Sequence, residues 1–318
     1  GQKMLGLPSE IKYPFWFDII QHAPNKPRAW NNYAVALSER GMFKQSIPYY
    51  EKAIQMDRNY PDPLNNLAVA YGAIDELDKA IQVLQQSIAI QPHYPEAYNN
   101  LASFLMRKNN LDYAEKMLEV ALRLRPHYGK AYFNLGKIAM MRNQLDRAHE
   151  HFKAACLKAD FDTEMGFRVY AEVSMNLQKF EDAHLAYQNL YKLTKSNDAL
   201  FGLATASMQL DKISEAINLY QALIKVSPNE MRAWYNLGEA YVKLARFADA
   251  CNCFSRAREF PNFPPITPLR QAHCLDKMGR KDEAAMCLKE ALALESLPTN
   301  IRPVVQAMVN QWEAQQKA

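Results

Sequence analysis

Asn32, Asn66, Asn100 and Asn134 stand 34 residues apart, and their surroundings recur at the same interval. Tyr33 gives way to Leu67, Leu101 and Leu135, and Ser46 to Ala80, Ala114 and Ala148. A fixed period of this size makes the chain an array of one small unit, so architecture and function are both set per repeat. It also makes the length of 318 residues easy to accommodate, because a linear array grows without enlarging any single core.

Within one unit, Leu64, Leu67, Ala68 and Tyr71 follow the i, i+3, i+4, i+7 spacing of an amphipathic helix. Ala80, Leu84 and Ser87 form the matching stripe of a second helix, with the small residue allowing close approach and the leucine filling the next layer. Pro92 and Pro126 stop the second helices. Only 10 glycines occur in the chain, and the abundance of Ala, Leu, Gln, Glu, Lys and Met favours helix throughout.

The sharpest unit reads Trp234-Tyr-Asn-Leu237-Gly238-Glu-Ala-Tyr241, then Ala250 and Phe254. This resembles the tetratricopeptide repeat, a helix–turn–helix of about 34 residues. The resemblance implies an all-α, right-handed superhelical solenoid. Units are read as beginning near Pro27, Pro61, Pro95, Gly129, Glu164, Asn197, Met231 and Pro265, about eight within residues 27–298. Residues 1–26 read as a partial repeat, with Trp16 and Ile19 as packing residues of a helix over Phe15–His22. Residues 299–318 read as a capping helix with Val304, Val305, Met308 and Trp312 on one face. Irregularity is expected where Asp160 replaces the terminal proline, and where Pro261, Pro264, Pro265 and Pro268 delay the eighth unit's first helix.

Several function classes are disfavoured. A formal net charge of +4, from 38 basic and 34 acidic residues, is too mild for a nucleic-acid binder. Runs such as Leu67–Tyr71 fall far below the ~18 apolar residues of a membrane span. No basic region followed by an apolar stretch marks a signal peptide, and no Asn-X-Ser/Thr acceptor occurs. The five cysteines (Cys156, Cys251, Cys253, Cys274, Cys287) read as free thiols acting as small apolar residues. Cys251 and Cys253 point to different faces of a helix. These features lean towards a reducing compartment, the cytoplasm by default. No phosphate loop, nucleophile elbow or zinc spacing appears. His93 and His127 sit in duplicated Pro-His-Tyr turns. No catalysis, metal or cofactor is expected of the chain.

Asn32, Asn66, Asn100, Asn134 and Asn236 all occupy the sixth position of a unit, on the side away from the packing stripe. Asparagine costs about 0.6 kcal/mol relative to alanine in a helix interior. A primary amide both donates and accepts, so a column of them can hold an extended peptide by its backbone. The column resembles the asparagine ladder in the superhelical repeats of O-linked GlcNAc transferases, and that resemblance implies a concave peptide-binding groove. The other reading open at this point is that duplication copied a harmless surface residue.

Beside the column Asn65 and Asn99 are further candidates for partner contact, and position twelve carries Met106, Met140, Met175 and Met208, either an adaptable apolar wall or gap fillers between helices. Arg28, Lys130, Lys137, Arg168 and Arg232 add positive charge, interspersed with Asp62, Glu96, Glu172 and Glu239. The clamp by which some tetratricopeptide repeats hold a chaperone's C-terminal carboxylate needs an asparagine at position nine. Here that position holds Val35, Val69, Ser103, Lys137, Glu172, Thr205 and Glu239, so the clamp is absent. Five backbone hydrogen bonds at about 1 kcal/mol each do not by themselves outweigh the ordering of a bound peptide, so side-chain pockets are expected as well.

The expected function is a protein–protein interaction scaffold taking a protein or peptide segment. Two alternatives stay open. The stretch from Trp16 through Ala23-Pro24-Asn25-Lys26-Pro27-Arg28-Ala29-Trp30 resembles the start of the repeat region in membrane protein O-mannosyltransferase-like proteins. That resemblance implies a substrate-recruiting domain of a larger glycosyltransferase, periplasmic or lumenal. The third reading is self-association into a homo-oligomer through the solenoid ends.

Overall fold

The computed structural model describes residues 9–318, with side chains from residue 12 onward. Among the described residues every regular element is a helix, and none is long and apolar enough to cross a membrane. The chain divides into two compact units at the bond between Asp162 and Thr163.

The first unit holds α1 (Ser9–His22), α2 (Pro27–Glu39), α3 (Phe43–Met56), α4 (Pro61–Ala73), α5 (Leu77–Ile90), α6 (Pro95–Arg107), α7 (Leu111–Leu124), α8 (Gly129–Met141) and α9 (Leu145–Leu157). The second holds α10 (Glu164–Asn176), α11 (Phe180–Thr194), α12 (Asn197–Gln209), α13 (Ile213–Val226), α14 (Met231–Lys243), α15 (Phe247–Ala257), α16 (Thr267–Lys277), α17 (Lys281–Ala293) and α18 (Arg302–Gln316). From α2 to α17 the helices form antiparallel hairpins, the first helix of each (A) followed by the second (B).

Three local devices repeat. Pro27, Pro61 and Pro95 open A helices at the position where a missing N–H costs nothing. Each hairpin turns through one residue of left-handed backbone: Gly41, Asp75, Asn109, Asn143, Gln178, Asp211, Ala245 and Gly279. The next residue's N–H then bonds back five residues, as in Met42 to Leu37, Asn110 to Leu105 and Arg246 to Tyr241, at 2.8–3.0 Å. This is a Schellman stop, and it occurs in all eight hairpins although glycine supplies only two of them. The third device ties the A helix to the preceding turn. Trp30 and Trp234 donate their indole N–H to the carbonyls of Pro24 and Pro228, at 2.7 and 3.0 Å, and the Tyr98 hydroxyl donates to Pro92 at 2.9 Å.

Packing follows the small residues. Ala68 and Ala80, Ala102 and Ala114, and Ala204 and Ala216 are fully buried on facing helices of one hairpin. The layer beyond carries Tyr50, Leu84, Leu118, Phe152, Tyr220 and Phe254. Where that layer holds Phe152 or Phe254, the A helix drops to glycine, because a Cβ on Gly136 or Gly238 would lie 2.5 or 2.8 Å from the ring.

The irregular connector after α9 and the two terminal helices are each set by particular contacts. Asp160, standing where other units carry proline, accepts the backbone N–H of Gly129 at 2.6 Å, and Phe161 packs on Phe133 with ring centroids 4.6 Å apart. The connector after α9 thus folds back over the start of α8. In α1, Trp16 and Ile19 are partly buried and Ile20 is the residue fully within the cluster. In α18 the buried side is Val305 and Val309, whereas Val304 and Met308 are exposed, one residue of rotation from the expected face. Arg302 sets that rotation by donating to the carbonyls of Leu292 and Leu294 at the end of α17.

Two stability measurements check this account. Leu101 is fully buried, so Leu101→Ala is expected to cost about 2–5 kcal/mol in denaturant unfolding. Ala245→Gly is expected to stabilise by about 1 kcal/mol, since an exposed alanine at φ 55° pays for a conformation glycine adopts freely.

Candidate partner-binding face

The sixth-position asparagines of the first unit fall on successive A helices, and three of the four are bonded to the repeat before. Asn66 donates its Nδ2 to the Oδ1 of Asn31 at 3.2 Å, Asn100 to Asn65 at 3.0 Å, and Asn134 to Asn99 at 2.9 Å. Each bond links neighbouring repeats and spans 35 residues, from position six of one A helix to position five of the one before. The acceptors are buried, at 4% exposure for Asn31, 8% for Asn65 and 6% for Asn99. Asn65 and Asn99, expected to contact a partner, are instead buried, with their side-chain oxygens bonded to the column's amides. Asn31 plays the same part and was not singled out from the sequence, although the Asn-Asn doublets at 31–32, 65–66 and 99–100 carry the signal.

Asn32, Asn66 and Asn100 are half-buried and Asn134 is more deeply set. Asn31 also donates to the Tyr60 hydroxyl at 3.4 Å. Tyr60 leads a second column with Tyr94 and Tyr128, each just before an A helix. Burial pushes all three phenols up, Tyr94 and Tyr128 to about 12, with Asp62 or Glu96 as the next cause. They are neutral hydroxyls at physiological pH. The face thus offers uncharged donors and acceptors, flanked by exposed Arg28 and Lys130. Glu96 is paired with Arg125, and Lys137 sits over the Phe133 ring at 5.9 Å.

The methionines divide. Met106 is 7% exposed within the hydrophobic cluster of the first unit, so its thioether fills a gap between helices. Met140 is 42% exposed. Met208 packs against the core of the second unit.

In the second unit the column changes character. Gly202 holds position six because a Cβ there would come 2.3 Å from the Tyr187 ring, which leaves no room for an asparagine. Asn236 donates to the Tyr220 hydroxyl at 3.2 Å rather than to another amide. One repeat on, Arg270 forms a two-pronged ion pair with Glu239 at 2.7 and 2.9 Å, so charge replaces the amide stitch. Arg232 lies over the Phe201 ring at 4.5 Å.

No group of three metal-ligating side chains occurs among the described residues. All five cysteines are buried free thiols. Burial pushes Cys156 and Cys253 up to about 12 and Cys274 to about 11.

Family models described as tetratricopeptide repeat match residues 25–93, 75–123, 100–162, 232–259 and 269–296, and one described as TPR repeat matches 204–244. The chain belongs to the tetratricopeptide repeat family, an all-α solenoid fold that engages protein or peptide partners. It is 29% identical over 94 residues to Superkiller protein 3 of Schizosaccharomyces pombe, covering 30% of this chain and 7% of that protein. A chain of the APC/C hetero-tetramer Cut9–Hcn1 superposes with a TM-score of 0.53 at 18% identity, covering 73% of this chain and 46% of that one. PilF of Pseudomonas aeruginosa gives 0.53 at 17% identity, covering 65% and 94%. These two likenesses are of fold. None of the three matches carries the O-mannosyltransferase resemblance.

The thiols provide a test of burial. Raised thiol pKa values mean that the folded chain binds more protons than the unfolded one between pH about 9 and about 12. Their contribution to stability is therefore complete below pH about 9 and is lost as pH rises from there. At pH about 8, thiol reagents are expected to label the native protein only as fast as it opens, and all five cysteines once it is denatured.

Proposed function

We propose that this chain is a non-catalytic scaffold that holds an extended partner segment along the first unit's A helices, with Asn32, Asn66, Asn100 and Asn134 reading the segment's backbone. The observation that carries this reading is the amide column itself. After its cross-repeat bond, each of Asn66, Asn100 and Asn134 retains one N–H and its carbonyl oxygen, the complement of a peptide group. The neutral hydroxyls of the half-buried Tyr60 and Tyr94 suit the same ligand, since they ask for no charge of either sign, whereas Tyr128 lies within the core. Arg28, Lys130 and Met140 are the exposed side chains that supply pockets beside the backbone contacts.

Backbone contacts at about 1 kcal/mol each set a modest ceiling, so affinity comes from the column and its flanking side chains together. Replacing Asn66, Asn100 and Asn134 together by alanine is expected to weaken binding of a peptide selected on the intact protein from a random display library. Titration calorimetry reads the loss, and circular dichroism is expected to show the helices intact. Unchanged affinity in the folded triple variant would end this reading.

A further inference from the structure

We propose that Asn31, Asn65 and Asn99 are positioning residues that clamp Asn66, Asn100 and Asn134, so that the face presents one N–H and one carbonyl per repeat in a single, repeating polarity. The proposal rests on the backbone-reading role given to those amides above.

The terminal torsion of an asparagine side chain is broad, so an untethered amide samples both faces and swaps its donor and acceptor ends. Three rungs are tethered here. In every case the sixth-position Nδ2 donates and the fifth-position Oδ1 of the preceding repeat accepts. The acceptors are buried, where water competes little for the bond. At the first rung the support is itself held, because Asn31 donates onward to Tyr60. Since the three bonds run in the same direction along the array, the leftover N–H and carbonyl keep the same order from rung to rung. An extended main chain also has a fixed order of N–H and carbonyl, so a face of uniform polarity favours one direction of binding.

The chain carries its own controls. Asn32 occupies the same position on α2, yet no hydrogen bond to its side chain occurs among the described residues. At the other limit α8 carries the clamped Asn134 but has Phe133 at position five, where α2, α4 and α6 carry the clamping asparagine.

Two measurements on the intact protein test this. With asparagine-selective isotope labelling, the side-chain amides of Asn66, Asn100 and Asn134 are expected to show scalar coupling across the bond to the partner Cγ and slowed exchange, and Asn32 neither. Four amides that exchange alike would overturn the proposal without any variant being made. The second measurement uses a peptide selected on the intact protein from a display library. Asn65→Leu is expected to weaken its binding about five- to ten-fold. In an Asn100→Ala background the same change is expected to add nothing, because the amide it positions is gone. An equal further loss there would mark Asn65 as merely structural and overturn the positioning role. If instead the folded triple alanine variant binds normally, the backbone-reading function fails and the positioning role with it, while the amide couplings of the unmodified protein still register the clamps.

Discussion

The arrangement depends on how closely two helices approach across facing alanines. Ala68 and Ala80, and Ala102 and Ala114, are fully buried between the two helices of a hairpin, where their small size permits close packing. A larger side chain in either place would spread the hairpin and shift the next A helix with it. Close approach also converts sequence spacing into spatial spacing. With each hairpin built alike and each turn stopped by the same left-handed residue, equivalent side chains on successive A helices stand within reach of one another. Asparagine is short, and its amide spans from one helix to the next only because that interval is short and constant. The cross-repeat bonds of Asn66, Asn100 and Asn134 are therefore a product of the core as much as of the face they occupy.

The same dependence explains where the column ends. It needs an acceptor at position five of one repeat and a donor at position six of the next. On α8, the last A helix of the first unit, Phe133 stands at position five in place of an asparagine, and the connector's Phe161 packs against that ring. In the second unit Tyr187 takes the volume that an asparagine at Gly202 would need. Asn236 then finds a hydroxyl, and Arg270 with Glu239 substitutes an ion pair for an amide pair. The two units thus solve one problem, joining neighbouring A helices on their polar side, with different chemistry. A neutral amide bond is insensitive to salt, whereas a partly exposed ion pair is screened by it.

Much of this was legible in the sequence, because periodicity reports on what every repeat shares. The helical hairpins, the small residues at their contact and the sixth-position asparagines all recur at 34 and can be read off directly. What could not be read is what depends on two repeats at once. The Asn-Asn doublet looks like two neighbours in one helix, and only packing reveals that its first member serves the following repeat. Met106 and Met140 share a position in the repeat, yet one is buried and the other exposed, because their local neighbours differ. The rotation of α18 is hidden in the sequence for a related reason. Val304, Val305, Met308 and Val309 offer two overlapping apolar stripes, and the choice between them lies with Arg302 and the carbonyls of another helix.

The doublet also resolves an apparent conflict between support and binding. Structural bonds and ligand bonds draw on the same few polar atoms, and an amide spent on its neighbour has less to offer a partner. Asparagine escapes the conflict because it has two N–H groups and a carbonyl with two lone pairs. Serine and threonine, with a single donor, would have to choose. Glutamine has the same groups on a longer arm, with one more torsion to fix on binding. A repeat that must both join its neighbours and present hydrogen-bonding groups to an extended chain thus has a physical reason to carry asparagine at position six, despite its low helix propensity. The same reasoning places a second asparagine at position five, where its burial keeps water from taking the acceptor.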